Sequence, residues 1–133
     1  MAYLLDTNTV SYFIKGRPIR VHERLVRVPM EELTISVITE AELLFGVVRH
    51  PQASRLNQLV HEFLIRVRVL PWNSDTAKSY ATVREELERK GTPIGDLDLL
   101  IAAQALAANA ILVSSDPVFR HIRRLQIEDW TKA

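Results

Sequence analysis

Cysteine is absent from the 133 residues. That excludes disulfides, zinc–thiolate sites and thiol nucleophiles together. Charge of one sign is also lacking: 17 Lys and Arg against 16 Asp and Glu leave a formal net charge of +1. A passive polyanion binder carries a general excess of base, so any nucleic-acid contact here must rest on local patches. No apolar run approaches the roughly 18 residues needed to span a bilayer. The opening Met-Ala-Tyr-Leu-Leu-Asp-Thr-Asn has neither the basic start nor the apolar stretch of a secretory signal. No internal repeat, low-complexity run or linker interrupts the chain. A cytoplasmic protein is the expectation. What is present, 47% apolar and 25% charged residues, is ordinary for a globular protein. The length suits a single domain over residues 1–133, large enough to bury about two-thirds of its unfolded surface.

Short apolar runs alternate with helical patterns. Residues 3–6, 34–38, 67–70 and 110–113 read as strands, and 126–128 as a short fifth at the edge. Between them, Leu56, Leu59, Val60, Phe63, Leu64 and Val67 form one helical face. Ala77, Tyr80, Val83, Arg84 and Leu87 form a second before Gly91. Residues 97–108 are apolar nearly all round, as expected of a helix buried mid-domain. The alternation predicts an α/β domain with a central parallel sheet of four to five short strands flanked by helices.

The acidic residues fall where such a fold places its chemistry. Asp6 ends the first strand, Glu42 follows the second, Asp96 and Asp98 open the buried helix, and Asp116 follows the fourth strand. In an open parallel sheet the loops after the strands' carboxyl ends share one edge, and sites form there. Each acid also has a plain structural explanation. Asp6 suits an Asx turn, Thr39 and Glu42 fit a capping box, Asp96 could cap its helix, and Asp116 before Pro117 is a good N-cap. Asp98 is least easily explained this way, because an unpaired carboxylate drawn toward an apolar interior is costly. Four carboxylates in one pocket repel one another, and hard divalent cations with oxygen ligands resolve the repulsion. Two such ions would balance four negative charges. Metal-activated water of this kind suits phosphodiester cleavage. None of His22, His50, His61 or His121 stands at a strand end beside the acids.

Five segments resemble the PIN-domain family, specifically the VapC-type toxin ribonucleases of bacterial toxin–antitoxin pairs. They are Tyr3-Leu-Leu-Asp-Thr-Asn8, Ile35-Ser-Val-Ile-Thr-Glu-Ala-Glu-Leu-Leu-Phe-Gly46, Gly95-Asp-Leu-Asp-Leu-Leu-Ile-Ala-Ala103, Ile111-Leu-Val-Ser-Ser-Asp116 and Ile127-Glu-Asp-Trp130. They occur in family order and span the chain. The resemblance implies a PIN-like fold and an endoribonuclease dependent on Mg2+ or Mn2+. It makes Asp6, Glu42, Asp98 and Asp116 the catalytic, metal-holding acids. It gives Asn8 and Ser114 supporting roles, with Asp96 a lesser supporting residue ranked below Asp98 and Glu40 ranked below Glu42. It further implies an RNA substrate, with transfer RNA a common family target, a cognate antitoxin partner and a homodimer. The sequence departs from close relatives at Val118, where they carry a further acid before the phenylalanine.

Three other readings compete. A phosphoryl-accepting receiver domain also sets acids after parallel strands, but it needs a lysine where Ser114-Ser115-Asp116 stands. A haloacid-dehalogenase-like phosphatase needs Asp-x-Asp, and the second position here is Asn8. A catalytically inactive PIN-like binding module would not need all four acids. Arginine heavily outnumbers lysine, and its densest run, Arg120-His121-Ile122-Arg123-Arg124, follows directly on Asp116. Arg120, Arg123 and Arg124 are therefore placed as substrate-binding residues that grip phosphate. The competing explanation is a solvated turn paired with Glu128 or Asp129.

Overall fold

The computed structural model describes residues 2–132. Five strands form one sheet: β1 (Tyr3–Leu5), β2 (Leu33–Ser36), β3 (Arg68–Leu70), β4 (Ile111–Val113) and β5 (Ile127–Glu128). Their order is β3-β2-β1-β4-β5 and every pairing is parallel. Six α-helices connect and cover them: α1 (Thr7–Lys15), α2 (Ile19–Arg27), α3 (Val37–Arg49), α4 (Ser54–Arg66), α5 (Ser74–Arg89) and α6 (Asp96–Ala107).

The sheet separates two cores, because successive side chains of a strand face opposite ways. Leu4 and Leu112 point into a core with Val83 and Leu87 of α5 and with Leu99, Ile101, Ala102 and Ala105 of α6. Leu5, Val113, Leu33 and Ile35 point into the other, with Val10 of α1, Val21 and Leu25 of α2, Leu43 of α3 and Phe63 of α4. Chain order reverses at β1: β2 and β3 extend the sheet on one side, β4 and β5 on the other. The carboxyl ends of β1 and β4 therefore border a topological switch point, the crevice where sites of open parallel sheets lie.

The second strand and the last helix depart most from expectation. The second strand stops at Ser36, although Val37 and Ile38 continue its β-branched pattern. The Ser36 side chain accepts a hydrogen bond from the Ile38 amide and caps α3, so a local polar bond overrides the β propensity of the next two residues. In α6 most faces are buried, but Leu97 is 48% exposed, so the helix is not enclosed all round. Its buried Gln104 accepts a hydrogen bond from Ser36 Oγ at 2.8 Å and donates one to the Pro71 carbonyl at 3.0 Å. That polar bridge fixes α6 against the carboxyl ends of β2 and β3. Among the described residues no helix is long and apolar enough to cross a membrane.

Candidate active site

Asp6 stands immediately after β1, 5% exposed, and is the N-cap of α1: its Oδ1 accepts the Thr9 amide at 2.8 Å. Its own amide donates to the Val113 carbonyl at 3.1 Å, and Thr9 Oγ1 donates to the same carbonyl at 3.0 Å. The ends of β1 and β4 are thus stitched together around the carboxylate. Ser114, buried directly after β4, donates its hydroxyl to Asp6, while its Oγ accepts the Asp116 amide at 3.1 Å. Asp116 in turn accepts the Val118 amide at 2.9 Å and caps the 3-10 turn Pro117–His121. One buried serine therefore sets the relative position of the first and fourth acids.

The other two acids arrive on helices. Asp98 lies in the first turn of α6, half-buried. Glu42 lies in the second turn of α3, where its Oε1 accepts the Thr7 hydroxyl at 2.5 Å. With that proton committed, Thr7 Oγ1 is left to accept from the Thr39 hydroxyl, 3.1 Å away.

The electrostatics tie the four together. Burial pushes the Asp98 carboxyl above the ordinary carboxylate range, and the charges of Asp116, Asp6 and Glu42 push it further the same way. Asp6 is also raised, chiefly by burial and slightly by Asp116, against the lowering effect of hydrogen bonds from Ser114 and Thr9. The acids do not yet close a coordination shell: no three Asp, Glu or His side chains among the described residues form a group able to hold a metal ion. The donor set nevertheless fits a hard cation. It is all oxygen, excessively negative, and contains two carboxyls whose ionised forms are disfavoured as the chain stands.

Several residues fall elsewhere than the sequence suggested. Glu42 is not part of a capping box, because α3 starts at Val37 with Ser36 as its cap. Asp96 is not the cap of its helix. Gly95 is the N-cap, and the exposed Asp96 lines a separate hollow with Arg84, Glu88 and Pro93. Asn8 is exposed on α1, and the amide that bonds the Asp6 carboxylate is that of Thr9. Glu40 is absent from the charges that act on Asp98. The basic cluster divides. Arg120 and Arg123 line a hollow of about 440 Å³ with Ser114, Ser115 and Asp116, whereas Arg124 pairs with Glu86 of α5 at 3.4 Å. Sequence reasoning missed Thr7, Thr9 and Gln104. The two threonines flank Asn8 in the opening motif, but only the helical register reveals which polar residue turns back toward the acids.

With this geometry in place, the likenesses to known proteins are informative. The PIN domain family model matches residues 3–125. The chain is 39% identical over 137 aligned positions to Ribonuclease VapC1 of Haemophilus influenzae (strain R2866), covering 99% of this chain and 100% of the relative. It is 34% identical over 131 positions to the tRNA(fMet)-specific endonuclease VapC of Salmonella typhimurium (strain LT2), covering 98% of each. Among solved structures, VapBC-1 from nontypeable Haemophilus influenzae superposes with a TM-score of 0.88 at 36% identity, covering 99% of this chain and 100% of that one. DNA-bound VapBC from Salmonella typhimurium gives 0.89 at 34% identity, covering 98% of each.

Proposed function

This chain belongs to the PIN domain family as a VapC-type ribonuclease, and from that premise we propose that Asp6, Glu42, Asp98 and Asp116 are its catalytic acids and hold Mg2+ or Mn2+. The observation that carries the assignment is the mutual repulsion at Asp98, which feels the charges of the other three acids though they come from separate elements. When bound, a divalent cation supplies charge neutralisation and water activation to phosphodiester hydrolysis.

The chain's own residues do the rest. Asp6 and Asp116 are aimed by Ser114 and by backbone amides. Thr7 orients Glu42 across the gap between α1 and α3. Gln104 keeps α6, and with it Asp98, seated against the sheet. Pre-aimed oxygens of this kind reduce the reorganisation a reacting phosphate would otherwise demand.

The chain acts as the toxin of a toxin–antitoxin pair, and its inhibitory partner is a cognate antitoxin, as in the VapBC assemblies it resembles. Transfer RNA is the proposed substrate class, on the strength of the relatives named tRNA(fMet)-specific endonucleases. A homodimer is also proposed, and light scattering on the antitoxin-free protein, returning twice the chain mass or the chain mass alone, decides it.

The test of the activity is incubation of purified protein with total RNA and mapping of the cut sites. Defined cuts should appear in Mg2+ or Mn2+, vanish in EDTA and vanish in Asp98→Asn. Full cleavage in EDTA overturns the mechanism. Cuts confined to messenger or ribosomal RNA overturn the substrate class and leave the mechanism standing.

A further inference from the structure

The hollow beside Asp116 holds two cations that form no ion pair or hydrogen bond among the described residues. Arg120 and Arg123 both line it, together with Ser114, Ser115, Asp116 and Asp129. Both guanidinium-bearing residues are exposed, and neither forms an ion pair among the described residues. Their neighbour Arg124 shows what a structural arginine does here: it reaches across to Glu86 at 3.4 Å.

Asp129, which lines the hollow with Asp116, is otherwise committed. Its Oδ1 accepts the Thr131 amide at 2.9 Å and the Thr131 hydroxyl at 2.5 Å, and its Oδ2 lies 3.9 Å from Lys132 Nζ. Glu128, the other nearby acid, faces Arg24 and Trp130 instead. The two arginines are thus left free where pairing acids stand close by. The hollow is about 440 Å³, within the range of small-ligand sites. It shares Ser114 and Asp116 with the acid cluster.

We propose that Arg120 and Arg123 form a phosphate-gripping subsite that holds the RNA backbone next to the scissile bond, and that Arg124 has no part in it. The inference rests on the ribonuclease reading. A nucleic-acid strand whose reacting phosphate sits at Asp116 must carry its neighbouring phosphate out over one rim of the acid pocket. On the β5 side that rim is this hollow. Guanidinium forks match phosphate oxygens bidentately, and a basic rim offsets the repulsion that the carboxylates would exert on an approaching polyanion.

The experiment measures binding of a short fluorescein-labelled single-stranded RNA by anisotropy across a KCl series in the presence of Mg2+. The background is the full chain carrying Asp98→Asn, so that nothing is cut. Replacing Arg120 and Arg123 together with Ala should weaken binding by roughly tenfold or more. It should also lower the slope of log affinity against log salt by about 1.4, the value for two lost contacts on a single strand. Lys at both positions should restore the slope but only part of the affinity, because an ammonium keeps the charge and loses the fork. Arg124→Ala should leave both quantities unchanged. Unchanged affinity and slope in the double Ala variant overturn the proposal, as does an Arg124→Ala effect equal to it. Either can occur while the parent chain still cleaves RNA with metal, so loss of the subsite is distinguishable from loss of the ribonuclease reading. Should the double Ala variant instead weaken only capture of the antitoxin, the hollow is a protein-binding site and the proposal falls.

Discussion

At the scale of single residues the site sets activity against stability, and Asp98 shows the conflict most clearly. Its carboxyl is held above the ordinary range by burial and by three neighbouring acids, so the folded chain binds that proton more tightly than the unfolded chain does. Stability from this source is complete below the unfolded value, near pH 4, and is lost as pH rises through the folded value. At neutral pH the ionised Asp98 is therefore a burden on the metal-free fold. Asp98→Asn keeps the shape and removes the charge. In EDTA at pH 7 its Tm should exceed that of the parent by a few degrees, and the gap should close as pH falls into the carboxylate range. Cleavage should be abolished at every pH. Thermal melts across pH check the first outcome and RNA cleavage the second; a lower Tm at pH 7 with full activity would place Asp98 outside the site. Asp6 carries the same burden, eased by hydrogen bonds from Ser114 and Thr9, and Asn there could still cap α1.

Among the elements, α3 bears on a choice that composition leaves open. Glu40 and Glu42 are two positions apart, hence about 200° apart around a helix, and they cannot both face one pocket. Thr7 on α1 holds Glu42, whose charge reaches Asp98. Glu42→Gln should lower cleavage by on the order of 10- to 100-fold, the equivalent of one charged contact of about 1.5–3 kcal/mol. Glu40→Gln should cleave like the parent, and initial rates on one RNA substrate compare the two; the reverse result would exchange their roles. The sequence made Asp6, Glu42 and Asp116 legible through their places after strands, since parallel strands bring their carboxyl ends to one edge, and Asp98 legible as an acid at the head of an apolar helix. The start of α3 was less legible, because Val37 and Ile38 look like strand and only the Ser36 side chain, bonded to the Ile38 amide, shows that the helix has begun. Asn8 and Thr9 are both polar neighbours of Asp6, and the register of α1 decides which amide bonds its carboxylate. The division of Arg120 and Arg123 from Arg124 was not legible at all. It depends on Glu86, 38 residues away in sequence, lying within reach.

For the molecule as a whole, the sheet, the two helical layers and the acids form one thermodynamic system, and a divalent cation should act on all of it. Neutralising the cluster removes the penalty that the metal-free chain carries, so binding to the folded state alone must raise stability. At a cation concentration about 100 times its dissociation constant the gain is roughly 2.7 kcal/mol, on the order of 10 °C in Tm for a domain of this size. Divalent ions can also stabilise proteins non-specifically, so magnitude alone does not identify the site. The order of the variants does. In EDTA, Asp98→Asn should melt above the parent, because it has lost repulsion. In saturating Mg2+ the parent should melt above Asp98→Asn, because only the parent retains the full donor set. Asp96→Asn is the control: it lies in the same helical turn but faces the hollow shared with Arg84 and Glu88. It should follow the parent in both conditions, less a few tenths of a kcal/mol for a lost charge near a helix amino end. Melting curves of the three proteins in EDTA and in Mg2+ decide the matter. If the parent and Asp98→Asn rise by the same amount with Mg2+, the cation binds elsewhere on the surface. If their order reverses while Asp96→Asn tracks the parent, the stabilising cation and the acids at the β1–β4 crevice belong to one site, located without any measurement of catalysis.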